Sequence, residues 1–139
     1  MNELGLLIQA LIVAESGGND RAIGDKHLRD KAYGPLQIRQ PVCDDYNKAH
    51  GTYYRASDLV GDRALSKKIC EWYLTTYGSK KRLGREPTFQ DLARIWNGGP
   101  DGWRKPSTLE YWKKVERAMK ELEKKPTPKV SKKVKKKKK

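Results

Sequence analysis

Cysteine is scarce in this chain: Cys43 and Cys70 are the two present among 139 residues. Two thiols cannot build the disulfide framework that holds small secreted domains together. One bridge between them stays open, but the expectation is two reduced thiols in or near the core. Histidine is equally rare, and His27 and His50 show no close ligand pairing with either cysteine, so no metal and no cofactor is expected. No stretch approaches the roughly 20 apolar residues that cross a bilayer. The apolar segment Leu4 to Ala14 is preceded by Glu3 instead of a basic flank and interrupted by Gln9, so it reads as a core helix and not as a signal peptide. On that reading the protein is made in the cytoplasm without an export signal and would reach an outside target by lysis or with a phage particle.

Acidic residues are also few, 17 against 31 Lys and Arg, for a net charge of +14. The excess is uneven: Lys124 to Lys139 holds ten Lys and no acid, which leaves +4 for residues 1–123. A lysine run with Pro126 and Pro128 repels itself and is expected to be a disordered tail, residues 124–139, behind one globular domain, residues 1–123. The tail is either solvated without a partner or an attractor of polyanions such as anionic wall polymers or lipopolysaccharide. A nucleic-acid-binding protein is the weaker reading, and no specific nucleic-acid contact is expected. A 139-residue chain is long enough for one modest core, and although mean hydropathy is only -0.93, four Trp and seven Tyr give large buried area for few residues. A monomer is expected.

Helical signals dominate what is there. Leu4, Leu7, Ile8, Leu11 and Ile12 form an apolar stripe ending at Glu15. Gly17 to Ile38 lacks helical periodicity and reads as loops with a small irregular β-hairpin. Pro41 suits the first turn of a second helix that stops at Gly51. Asp62 caps a third, with Leu65, Ile69, Trp72, Tyr73 and Thr76 as its stripe and Gly78 as its stop. Ser79 to Pro87 reads as an exposed loop. Thr88 with Asp91 starts a helix that ends at Asn97-Gly98-Gly99, and Ser107 with Glu110 reads as the start of a last helix running to about Glu123. No pattern supports a major sheet, so the class is mainly α.

Glu15 stands where the first stripe ends, followed by Ser16-Gly17-Gly18. A carboxyl half out of a core loses solvation of its anion, so its pKa rises and it can deliver a proton near neutral pH. AYGPLQI (Ala32 to Ile38) and ARIWNGG (Ala93 to Gly99) each place amides beside glycine and aromatic groups. Together the three segments point to a sugar-cleaving cleft.

AES at Ala14 to Ser16, YGPLQI at Tyr33 to Ile38, IWNGG at Ile95 to Gly99 and YWKKV at Tyr111 to Val115 follow one another in an order that resembles the lysozyme-like superfamily, above all the soluble lytic transglycosylase and goose-type lysozyme group. The resemblance spans about residues 4 to 120 and implies a lysozyme-like fold. It also implies cleavage of the β-1,4 bond between N-acetylmuramic acid and N-acetylglucosamine in peptidoglycan glycan strands. It makes Glu15 the general acid, with Ser16 as a neighbour bonding to substrate or carboxyl, and Tyr111 packed near Glu15. Tyr33, Gly34, Gln37, Ile38, Trp96, Asn97 and Gly98 become substrate-binding, with Gly34 allowing close backbone approach and Ile38 burying the cleft wall.

Two departures stand out: Pro35-Leu36 replaces the usual Leu-Met, and Trp96 replaces Tyr. Pro35 removes a backbone donor and stiffens the loop. Trp96 either stacks on sugar or belongs to the Leu92–Ile95 core face. A transglycosylase needs only Glu15, whereas an inverting hydrolase needs a second carboxylate roughly 6.5–9.5 Å away. Asp25 and Asp30 are the preferred candidates because both lie between Glu15 and the GPLQ segment. A cell-wall-binding protein with the same cleft but no turnover is the alternative from another class.

Overall fold

The computed structural model describes residues 3–124; the expected Lys-rich tail, beyond Lys124, lies outside the described residues. The architecture is mainly α. Helices α1 (Glu3–Ser16), α2 (Gln40–His50), α3 (Arg63–Tyr77), α4 (Lys80–Leu83), α5 (Phe89–Gly98) and α6 (Leu109–Lys124) are joined by one small hairpin, β1 (Ile23–Gly24) and β2 (Ala32–Tyr33), and three short 3-10 turns. The hairpin is antiparallel, with Ile23 opposite Tyr33 and Gly24 opposite Ala32. No helix among the described residues is long and apolar enough to cross a membrane.

Helix α1 is the core's axis. Leu7, Ile8, Ala10, Leu11, Ile12 and Ala14 are all buried, more than a single stripe, because α3, α5 and α6 all pack against it. Val115 and Met119 of α6 and Ile69, Cys70 and Leu74 of α3 complete the surrounding core. Both Cys43 and Cys70 are free and buried. Burial pushes the Cys43 thiol up to about 11 and Cys70 well above its ordinary value, so neither is a ready nucleophile.

The helix ends follow side-chain chemistry. Asp62 accepts from the Leu65 amide at 3.0 Å, and Thr88 and Asp91 cap each other's backbone in a full capping box. Gly51 ends α2 in the left-handed region. Two expectations fail. Ser79 to Pro87 is not all loop, because the Ser79 hydroxyl accepts from the Arg82 amide and starts the short α4. Ser107 and Glu110 do not cap α6. That helix is entered through a 3-10 turn (Pro106–Thr108), where the buried Thr108 hydroxyl accepts from Arg94 and donates to the Gly102 carbonyl.

The segment after the hairpin is a tight turn. Tyr33 and Ile38 exchange backbone hydrogen bonds at 3.0 and 2.9 Å, and the Gln37 amide closes onto the Gly34 carbonyl at 3.1 Å. Pro35 takes the second position, which suits its fixed φ. Gly34 has φ 81°, and a Cβ there would lie 2.6 Å from the Leu59 carbonyl oxygen. Gly34→Ala therefore meets both a left-handed backbone penalty and a backbone clash. It is expected to cost about 2–4 kcal/mol, read as a lower urea midpoint at unchanged slope.

Candidate active site

Glu15 sits on the last turn of α1, held there because the apolar side chains before it anchor the helix in the core. It is half-buried, and Tyr111 of α6 donates its hydroxyl to Oε2 at 2.7 Å. Burial is the largest influence and raises the Glu15 pKa. The Tyr111 hydrogen bond, Lys114 and Arg39 pull it partly back, and Asp25 pushes it up again. The outcome is a carboxyl that holds its proton above the ordinary carboxylate range.

Glu15 opens into a cleft of ≈ 310 Å³ shared with Asp25, Gln37, Ile38, Trp96 and Asn97. Ile38 forms a buried wall. Trp96 is half-buried and meets the Tyr73 ring edge-on at 5.5 Å, so it is packed against the core and still borders the cleft. Asn97 is exposed. The lining is mixed, with two carboxyl groups, a guanidinium, amides and aromatic faces, which suits a polar ring-shaped ligand better than an apolar one.

Several residues proposed from sequence stand elsewhere. The Ser16 hydroxyl donates to the Ile12 carbonyl at 3.2 Å and does not line the cleft, a helix back-bond being its nearest partner. Gly34 makes its close approach to Leu59, not to the cleft. Asp30 and Tyr33 line a separate hollow with Gln40 and Arg55, because the loop turns Asp30 outwards. Gly98 packs under Thr108, where a Cβ would come within 2.6 Å of Cγ2; its neighbour Gly99 borders the cleft instead. Gln37 lines the cleft with φ 53°, but its amide nitrogen donates to the Ala22 and Gly34 carbonyls. That nitrogen fastens the turn to the hairpin.

Arg39, Pro41, Val42 and Tyr73 also line the cleft without having been singled out for it. Arg39 donates to the Asp30 carbonyl at 2.6 Å and pairs with the Asp25 carboxylate. Asp25 has φ 52°, a conformation that costs a non-glycine residue about 1–2 kcal/mol. A half-exposed ion pair and one charged hydrogen bond return about the same amount, so Arg39 offsets the strain of the loop that carries Asp25. A cation directly after the cleft-lining Ile38 is the signal that sequence offered for it. Tyr73 gave none, since its stripe position equally fits a core residue.

The arrangement of a helical core, a minimal hairpin and a carboxyl-bearing cleft between them is the lysozyme-like fold. The chain superposes on Tapes japonica lysozyme with a TM-score of 0.66 at 23% identity, covering 81% of this chain and 87% of that one. It matches a chain from the crystal structure of Aeromonas hydrophila PliI in complex with Meretrix lusoria lysozyme at a TM-score of 0.67 and 20% identity, with the same coverage. In sequence it is 37% identical over 83 residues to a lysozyme of Magallana gigas, 59% of this chain and 56% of that protein. It is 30% identical over 87 residues to a lysozyme of Ostrea edulis, 63% of this chain and 60% of that protein. The chain thus spans little more than half the length of these curated relatives. No protein-family model matches it.

Tyr111→Phe removes a hydrogen bond that favours the Glu15 anion, so the Glu15 pKa is expected to rise further. Titration of a 13C-labelled Glu15 carboxyl checks this; an unchanged or lower value contradicts it. The raised pKa also sets a stability trend. The folded state binds the Glu15 proton more tightly than the unfolded state, so stability from this group is full below the unfolded value and declines as pH rises through the folded one. Glu15→Gln removes that decline. Its melting temperature relative to the parent should climb as pH rises from the ordinary glutamate value through the raised folded-state one, and level off above it.

Proposed function

We propose that the chain is a glycosidase that cleaves the β-1,4 bond between N-acetylmuramic acid and N-acetylglucosamine in peptidoglycan, with Glu15 as general acid. The observation that carries the reading is Glu15 itself, a carboxyl whose pKa is raised by burial and which is yet open to a cleft lined with amides and aromatic faces. Similarity to proteins named lysozyme supports it.

In the proposed reaction the glycan strand lies across the cleft with the glycosidic oxygen against the Glu15 carboxyl. Tyr111 fixes the carboxyl's orientation through Oε2. Glu15 passes its proton to the leaving oxygen as positive charge develops on the muramic acid ring. Asn97 and the Trp96 ring edge hold the sugars from the α5 side. In the hydrolytic version, Asp25 across the cleft orients the attacking water and takes its proton as the oxygen bonds to the anomeric carbon, so that Glu15 ends as the anion and Asp25 as the acid. The new reducing end then carries the water oxygen, and the leaving sugar carries the Glu15 proton.

The Asp25–Arg39 ion pair favours a second version. Arg39 engages Oδ2 of Asp25, so that oxygen is already committed before any water could be held by it. The substrate's own 6-hydroxyl would then attack, with Glu15, now a carboxylate, taking its proton and a 1,6-anhydromuramyl end forming. The Lys-rich segment from Lys124 would in either case hold the protein near anionic wall polymers or lipopolysaccharide.

Mass spectrometry of soluble fragments from purified peptidoglycan separates the versions. Fragments with reducing ends and added water mark a hydrolase, and anhydro ends mark a transglycosylase. Glu15→Gln is expected to lose about 10²–10⁴-fold in turnover in both, and Asp25→Asn to lose comparably only in the hydrolase. Full turnover by Glu15→Gln would overturn the assignment, and no fragments from the parent on several walls would favour a binding protein. Activity should fall as pH rises through the Glu15 pKa, since only the protonated form donates.

A further inference from the structure

The charge of the folded part is not spread over its surface. Residues 79–105 carry seven Lys and Arg against three acids, whereas the rest of residues 1–123 is balanced at fourteen of each. The +4 of the first 123 residues therefore sits in one segment, the one running from α4 through α5 to the 3-10 turn Gly102–Arg104.

Contacts gather these cations onto one face. Arg82 and Arg104 both reach Asp101, at 3.3 and 3.2 Å. Arg85 and Arg104 stack over the Trp103 ring at 5.6 and 5.4 Å. Three exposed guanidiniums thus meet around Asp101 and the Trp103 indole, with Arg85 also held bidentately by the buried Asp91 carboxylate. Two carboxylates serve three guanidiniums, and with Lys105 beside them this face keeps a surplus of positive charge that favours anions. The same face adjoins the cleft: Arg82 donates to the Pro100 carbonyl at 2.9 Å and Lys105 to the Gly98 carbonyl at 2.8 Å, on either side of the cleft-lining Gly99.

We infer that this face is a docking surface for the carboxylates of the stem peptides borne by the glycan strand held in the cleft. The inference rests on the peptidoglycan reading above and assigns that site a substrate class: peptide-bearing strands, in preference to bare ones. A muramic acid ring held beside Asn97 and Gly99 would project its peptide outwards past Pro100, where Arg104 and Lys105 stand exposed with donors to spare. Guanidinium and ammonium groups bind carboxylates by charge-assisted hydrogen bonds, and their position at the rim serves selection and capture more than bond cleavage.

The test uses the full chain carrying Glu15→Gln, so that strands are bound without being consumed. Affinity is measured by calorimetry for soluble glycan strands with stem peptides and for the same strands stripped by an amidase. The peptide-bearing strands are expected to bind about five- to tenfold tighter. Adding Arg104→Gln and Lys105→Gln should reduce the preference to within about twofold, while Lys67→Gln with Lys68→Gln on α3, the same loss of charge elsewhere, should keep it. The Lys-rich segment is common to all these proteins and cancels in the ratio.

Equal affinity for both strands, or equal loss with the α3 pair, overturns the inference. Competition by a peptide-free polyphosphate wall polymer as strong as that by peptide-bearing strands overturns the carboxylate assignment. Failure of the underlying reading looks different: the parent with Glu15 intact would bind peptide-bearing strands preferentially and cleave neither kind.

Discussion

The contact between the Tyr111 hydroxyl and Glu15 joins residues 96 positions apart in sequence, and it is possible only because α6 lies along α1. Much of what makes Glu15 unusual depends on that packing. Burial raises its pKa, and α6 supplies the Tyr111 hydroxyl and the Lys114 charge that limit the rise, with Arg39 lowering it and Asp25 raising it from the opposite wall. A shift of α6 would change the carboxyl's hydrogen bond and one of its neighbouring charges together. The core is therefore part of the site: Val115 and Met119 set the seat on which Tyr111 rides.

The opposite wall is built on different terms. It consists of a short hairpin, a tight turn and the N-terminus of α2, and specific polar contacts fasten it alongside the buried Ala32, Leu36 and Ile38. The Gln37 amide ties the turn to Ala22, and Arg39 ties the loop to the turn through Asp25 and Asp30. Each polar contact is worth on the order of 1 kcal/mol. The cleft pairs a helical side that carries Glu15 with a loop-built side that carries Asp25.

Much of the fold was legible in the sequence because its rules are local. Asp62, Thr88, Asp91, Gly51 and Gly78 mark helix ends through chemistry that acts within four residues, and the stripes on α1 and α3 name part of the core, while Leu36, Ile38, Tyr46 and Leu59 enter it from loops and α2 without a periodic signal. The last helix start was misread because Ser107 and Glu110 have the right spacing, while Thr108 finds a distant partner in Arg94 that no local rule contains. The site was legible as a set of segments but not residue by residue. Glu15, Asp25, Gln37, Ile38, Trp96 and Asn97 meet at the cleft. Asp30 and Tyr33 share the segment but face away, and Ser16 and Gly34 are engaged by Ile12 and Leu59. Which way a loop residue points depends on tertiary contacts, and Arg39, whose contacts span the loop and the turn, shows how far outside the local window that information lies.

The two thiols have a consequence for where such a molecule is able to keep its shape. Cys43 and Cys70 are both buried and free, and no cross-link among the described residues contributes to the fold. The free energy that maintains the cleft is thus the same in a reducing medium as in an oxidising one. Within the described residues, the packing of α1 against α3, α5 and α6 carries that shape without a covalent tie.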